Sequence, residues 1–134
     1  MTTADVIVIG GGVIGGSIAH HLLARDPRLK VVLLEKEAEV GTGATSKATG
    51  GVRHQFSTEA NIRLTQLSYP YFAETERILG RSVDFIPHGY LFVTTEPRIL
   101  EQLKKNVALQ QRLGVKSRLV APSEMKPMLS QLVV

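Results

Sequence analysis

Few patterns restrict a fold as strongly as a buried strand that runs into bare backbone and leaves it as a helix. Residues 6–22 read VIVIGGGVIGGSIAHHL. Residues 5–9 (DVIVI) are short, β-branched and almost wholly apolar, as a strand buried on both faces must be. Glycines follow, and from Ile14 to Arg25 the chain behaves as a helix, with Ile18, Ala19 and Leu22 on one face. Asp26-Pro27 ends it, because proline disfavours helical geometry in the residue before it. Residues 30–35 (KVVLLE) read as a second buried strand. Strand, helix and strand in this order predict a βαβ unit with parallel strands and a right-handed crossover.

The glycines are spaced Gly10-x-Gly12-x-x-Gly15, and each has its own mechanical task in a dinucleotide site. Gly10 permits the tight turn out of the strand. Gly12 has no Cβ, so a pyrophosphate can approach the main chain. Gly15 lets the helix pack closely on the strand. The helix start, with Val13 and Ile14, then presents unpaired N–H groups and a partial positive charge to a diphosphate. Alone, this spacing occurs in many turns. Here a buried strand precedes it, a helix begins inside it, and Glu35 stands at the end of the next strand, 20 positions after Gly15. Its carboxylate can accept hydrogen bonds from ribose hydroxyls and would repel a 2′-phosphate, which argues against NADP. Lys36 beside it softens that repulsion.

Residues 37–52 are rich in Gly, Ala, Thr and Ser and show no periodicity, which predicts a long functional loop. Ser57 is expected as an N-cap with Glu59 in the first turn, opening a helix over 58–79 that bends at Pro70 and stops at Gly80. Strands are expected at 83–86 and 89–94 around a Pro87-His88 turn. A second long helix is expected over 97–113, closed by Gly114, then a short strand at 117–121. A last helical turn starts at Ser123-Glu124 and is cut by Pro127.

The 134 residues suffice for one modest domain with a core. Apolar residues make up 43% and charged residues 21%, a globular rather than a disordered balance. No apolar run approaches a membrane span, and no basic-then-apolar leader is visible. The absence of cysteine excludes disulfides and thiolate ligands within the chain and suits a reducing, cytoplasmic setting. The net charge of +4 is spread over Lys104, Lys105, Arg112, Lys116 and Arg118, and aromatic content is only 5%, so no nucleic-acid surface is expected. No metal site is expected; His20, His21 and His88 read as structural or exposed.

The segment EKEAEVGTGATSKATGGVRHQFSTEANIRL carries a resemblance. With Glu35 ending the second strand, the Ala44-Thr45-Ser46 run and the Gly50-Gly51 pair, it resembles the D-amino-acid oxidase-like flavoproteins, such as glycine oxidase, sarcosine oxidase and dimethylglycine dehydrogenase. GYLFV at 89–93 resembles the family's first substrate-domain strand. The resemblance implies an α/β chain: a Rossmann-like βαβ FAD-binding domain over 1–80 and the start of a mixed-sheet substrate domain over 81–134. It implies that Ala44, Thr45, Thr49, Gly50 and Gly51, with Gly10, Gly12, Val13, Ile14, Gly15, Glu35 and Lys36, meet FAD. Some relatives attach flavin through a histidine just before the glycine pair. Lys47 stands at the comparable position, so non-covalent FAD is expected.

Arg53 suggests a catalytic role, because a guanidinium can clamp an amino acid's carboxylate. The alternative, slightly preferred, is that it faces the flavin edge or solvent and orders the loop. The resemblance implies oxidation of a small amino acid or N-methylated amine, with hydride transfer from carbon to flavin and an imine as product. Alternatives are a 2-hydroxy-acid or glycerol-phosphate dehydrogenase, or a non-catalytic FAD-binding assembly piece. The chain matches only the first third or so of a typical family member. It therefore reads as a fragment, inactive alone, with exposed sheet edges that favour a partner subunit or self-association.

Overall fold

A computed structural model describes residues 3–128, and within it the chain divides into two compact units at Gly51/Val52. The first unit is the expected βαβ element. Strand β1 (Val6–Ile9) leads to helix α1 (Val13–Arg25) and then to strand β2 (Val31–Leu34). The strands are parallel, with Val6 opposite Val31, Val8 opposite Leu33 and Ile9 opposite Leu34. Helix α1 ends at Asp26, whose extended backbone (φ −142°, ψ 99°) is what the following proline favours. Asp5 ties the strand starts together by accepting from Lys30 N–H at 2.8 Å.

Strand alternation divides the sheet into two faces. Val8 is buried, and its Cγ1 lies 3.3 Å from where a Cβ on Gly15 would stand, so its face is the one α1 covers. Ile7, Ile9 and Leu34 share the other face and are 59%, 87% and 51% exposed. The loop after β2 contains one short helical turn, α2 (Ala44–Lys47).

The second unit is helical where described. Helix α3 (Glu59–Ala73) is followed by α4 (Thr75–Leu79), α5 (Pro97–Arg112) and α6 (Pro122–Met128). Ile62 on α3 is fully buried. Buried Gln110 on α5 donates from Nε2 to the Phe56 carbonyl at 2.9 Å, and Gln66 donates to the Leu113 carbonyl at 2.8 Å. Each satisfies a main-chain acceptor that its neighbours leave open. Gly80 and Gly114 take left-handed φ values of 70° and 82°, the usual conformation at a helix C-terminus.

Several expected details differ. Thr58, not Ser57, is the N-cap of α3, and it makes no side-chain capping bond. Glu59 is in the first turn as expected, paired with Arg63 at 2.8 Å. Pro70 lies within α3, and the interruption comes at Glu74 (φ −116°, ψ 23°), whose N–H still bonds to the Pro70 carbonyl. Residues 83–86, 89–94 and 117–121 form no strands; β1–β2 is the one ladder among the described residues. An apolar β-branched run reports how a strand would be buried, whereas a ladder also needs a partner strand. Pro127 does not cut the last helix, which runs on to Met128.

Among the described residues no helix is long and apolar enough to cross a membrane, and no group of three or more His, Cys, Asp or Glu is placed to hold a metal ion.

Two adjacent glycines give opposite expectations. A Cβ on Gly15 would stand 1.9 Å from the Gly10 carbonyl oxygen, a main-chain atom that cannot yield. A Cβ on Gly16 would meet nothing within 4 Å, inside a helix. Gly15→Ala is expected to destabilise the chain by about 2–3 kcal/mol, as overpacking does. Gly16→Ala is expected to stabilise it by about 0.5–1 kcal/mol. Urea unfolding of both variants checks the two signs.

Candidate functional site

The site grows out of the β1–α1 turn. Gly10 has φ +104°, a conformation other residues rarely adopt, and its N–H donates to the Leu34 carbonyl at 2.8 Å. The chain therefore turns sharply while still joined to β2. Gly12 is the N-cap of α1, with no side-chain capping bond and no acidic residue in the first turn. The first N–H groups of α1 are thus left for an acceptor from elsewhere, with the positive end of the helix dipole behind them. Gly15 lets α1 sit directly on the Gly10 carbonyl.

Two side chains from the later loop complete the turn. Thr45, on α2, accepts from Val13 N–H through Oγ1 at 2.9 Å. That oxygen also lies 3.0 Å from where a Cβ on Gly12 would be, so any side chain at 12 would displace it. The Thr45 hydroxyl keeps its own proton to donate. Glu35, one residue past β2, reaches back to the turn. Its Oε2 accepts from Gly11 N–H at 2.7 Å, and its Oε1 from Lys36 and Glu37 N–H at 2.8 and 3.1 Å. Three of about four lone-pair sites are thus used, which leaves about one for a hydroxyl.

The same bonds set the electrostatics. The Glu37 and Gly11 N–H groups hold the Glu35 carboxyl below the usual carboxylate range. The stabilisation is therefore present above the ordinary glutamate value and is lost as pH falls through the lowered one. Lys36 Nζ pairs with Glu37 at 3.3 Å in an exposed contact. An ion pair of this kind is weak, but it directs Lys36 toward Glu37.

The structure thus brings Gly10, Gly12, Val13, Gly15, Glu35 and Thr45 together, with Ile14 exposed on the first turn of α1, the Lys36 main chain on Glu35, and Ala44 opening α2. Thr49, Gly50 and Gly51 are exposed, and none of the hydrogen bonds that close the turn comes from them. Lys47 is the exposed last residue of α2. Gly11, Val40 and Gly41 were not singled out by the motif. Gly11 is buried, its carbonyl accepts from Gly41 N–H at 3.0 Å, and Val40 packs where its Cβ would be. The signal was a third consecutive glycine that the spacing does not require.

In the second unit the Arg53 guanidinium carbon lies 5.0, 6.0 and 5.6 Å from the ring centroids of Phe56, Tyr90 and Phe92. These are cation–π distances. Gln55 donates to the Tyr90 carbonyl at 3.0 Å, so residues 53–56 are laced to 90–92. Among the described residues no carboxylate lies within ion-pair distance of Arg53. His54 instead packs on Tyr69, 5.1 Å between centroids, with Nε2 buried and unpartnered.

The residues present fit the adenosine end of FAD: a helix start whose glycine N-cap offers no side chain, with the Thr45 hydroxyl beside it, for the diphosphate, and a tethered carboxylate for a sugar hydroxyl. Comparison with known proteins identifies the family. The profile of the DAO family, FAD dependent oxidoreductase, matches residues 5–133. The chain is 34% identical over 134 residues to FAD-dependent oxidoreductase domain-containing protein 1 of Xenopus laevis, covering 92% of this chain and 26% of that protein. It is 30% identical to the mitochondrial sarcosine dehydrogenase of Homo sapiens, over 93% of this chain and 14% of that protein. It is 31% identical to the mitochondrial L-2-hydroxyglutarate dehydrogenase of Dictyostelium discoideum, over 75% of this chain and 23% of that protein. The chain spans about a quarter or less of the length of these relatives. With a family profile matched over nearly its whole length, and a parallel βαβ unit at its start, the chain belongs to the DAO family of FAD-dependent oxidoreductases.

Proposed function

We propose that this chain forms the adenosine- and diphosphate-binding part of an enzyme that oxidises a small amino acid or N-methylated amine, such as sarcosine, glycine or proline. The observation that carries the reading is the Glu35 carboxylate, held by Gly11 N–H beside the glycine-capped start of α1. In this reading Glu35 accepts from an adenosine ribose hydroxyl. The N–H groups of Gly12 and Ile14 and the Thr45 hydroxyl, which Val13 N–H holds in place, meet the diphosphate, while Gly10 and Gly15 set the turn. Lys36 and Ala44 line its edge, and Thr49, Gly50 and Gly51 approach the flavin by main chain. FAD, held without a covalent bond, supplies the two-electron acceptor for hydride transfer. Residues 1–80 serve as the FAD-binding part and 81–134 begin the substrate domain. A cytoplasmic setting belongs to the same reading.

Arg53 has two parts to play on this proposal. Its stacking on Phe56, Tyr90 and Phe92 orders the segment, and its lack of an ion-pair partner among the described residues leaves the guanidinium able to clamp a substrate carboxylate. An amino acid and a 2-hydroxy acid both carry that group. The likeness to a 2-hydroxyglutarate dehydrogenase supports the second as an alternative substrate class.

Parallel sheets are normally covered on both faces. The exposed face of Ile7, Ile9 and Leu34 therefore supports association with a further polypeptide or a second copy. Ile9→Asp is expected to shift the sedimentation profile toward monomer. An unchanged profile removes this face from the proposal.

With FAD added to the full chain, flavin is expected to bind and to leave completely into the supernatant on acid precipitation; colour retained in the pellet would mean a covalent bond. Glu35→Gln is expected to weaken ADP binding by about tenfold, the scale of one charge-assisted hydrogen bond. Wild-type affinity should be flat near neutrality and decline in acid as the Glu35 carboxyl takes a proton, and calorimetry from neutral to acid pH checks both. Affinity that stays level in acid, or that is indifferent to Glu35→Gln, rules out the ribose role.

In the protein assembled with whatever polypeptide completes it, assays with sarcosine, proline, glycine and 2-hydroxyglutarate separate the two substrate classes. Arg53→Lys is expected to raise KM for the preferred acid by about tenfold or more, since the two-pronged bond is lost. An unchanged KM would leave Arg53 only its ordering role.

A further inference from the structure

The glycine motif specifies positions 10, 12 and 15 and leaves position 11 free. The fold does not. Gly11 is buried, and Leu33, Glu35 and the Val40–Gly41 segment meet on it. Its N–H donates to Glu35 Oε2 at 2.7 Å. Its carbonyl accepts from Gly41 N–H at 3.0 Å, which brings the loop after β2 back onto the turn. A Cβ at this position would stand 2.7 Å from Val40 Cγ1, 3.1 Å from Leu33 Cδ2 and 3.2 Å from Glu35 Oε2. Its φ is not in the left-handed region, so glycine is required here by space and not by backbone angle.

We infer that Gly11 is a positioning residue: the volume of its missing side chain lets Val40 close over the turn and sets where the Glu35 carboxylate stands. Val40 is itself largely exposed, at 66%. Burial of its own surface therefore explains little of its placement. What it does is fill the space beside Gly11, next to Leu33 and the carboxylate. A methyl group at 11 meets Val40 first and hardest. It also presses on Oε2, the oxygen whose bond to Gly11 N–H keeps Glu35 folded toward the turn. Gly11 touches no nucleotide on this account and acts only through Glu35. The inference deepens the ribose reading above and rests on it for its functional meaning.

The test uses the full chain without nucleotide and follows the Glu35 side-chain carboxyl by NMR during a pH titration. In the wild type it is expected to titrate below the usual glutamate range. In Gly11→Ala it should move up toward that range. In Gly11→Ala/Val40→Ala, where the tightest contact is removed, it should return toward the wild-type position. A general loss of stability would not be rescued by deleting more side chain. A Gly11→Ala chain that folds and keeps the wild-type titration overturns the inference. If Gly11→Ala fails to fold, a double variant that regains both the fold and the low titration supports it, and one that regains neither overturns it. A parallel ADP titration reports on the other reading. Affinity should fall about tenfold or more in Gly11→Ala and recover in the double variant. If the carboxyl moves as stated but no form binds ADP, the positioning stands and the nucleotide assignment falls.

Discussion

The first unit depends on one close approach: the Cα of Gly15 against the carbonyl oxygen of Gly10, where a Cβ would stand at 1.9 Å. That approach lets α1 start immediately beyond the end of β1. Because α1 starts there, its free N–H groups and the positive end of its dipole face the mouth of the parallel pair. Because Gly10 remains bonded to the Leu34 carbonyl, the residue after Leu34 is delivered beside the turn. Glu35 is that residue. One steric vacancy thus places both an anion-attracting helix end and a carboxylate within the same few ångströms.

These two groups have opposite charge preferences, and their closeness needs a physical reason. The Glu35 carboxylate is not left to repel an incoming diphosphate freely. It is tied down by Gly11, Lys36 and Glu37 N–H groups, which spread its charge onto the main chain and fix its oxygens. The N–H of Val13, one position further on, bonds instead to a neutral hydroxyl, that of Thr45. The turn is therefore divided: an acidic half built around Gly11 and a hydrogen-bonding, electropositive half built around Val13. A nucleotide with a neutral sugar at one end and phosphates at the other matches that division, and one carrying a phosphate on the sugar does not.

How much of this could be read from residues alone depended on whether the cause was local. The βαβ unit was legible because strand burial, the glycine spacing and the Asp26-Pro27 stop all lie in neighbouring residues and agree with one another. Glu35 was legible for the same reason, through its fixed distance from the turn. The role of Gly11 was not, because it is set by Val40 and Gly41, which reach it only after the loop folds back. Thr45 was anticipated from resemblance, but not the bond to Val13 that positions it. The expected strands at 83–86, 89–94 and 117–121 failed for a related reason. Their apolar pattern is a demand for a neighbour, and the described residues supply none.

The same imbalance explains the exposed face of the first sheet. Ile9 lies at the end of β1, directly before the turn, and is 87% exposed. An apolar strand residue of this kind contributes to stability only when something covers it, at about 25 cal/mol for each Å² removed from water. Whatever covers Ile7, Ile9 and Leu34 would therefore stiffen the strand that leads into Gly10 and, through the Gly10–Leu34 bond, the approach to Glu35 as well. Covering the face and ordering the turn are coupled through four residues of β1. A polypeptide segment that covers this face can thus act on the geometry of the turn and of Glu35 without touching either.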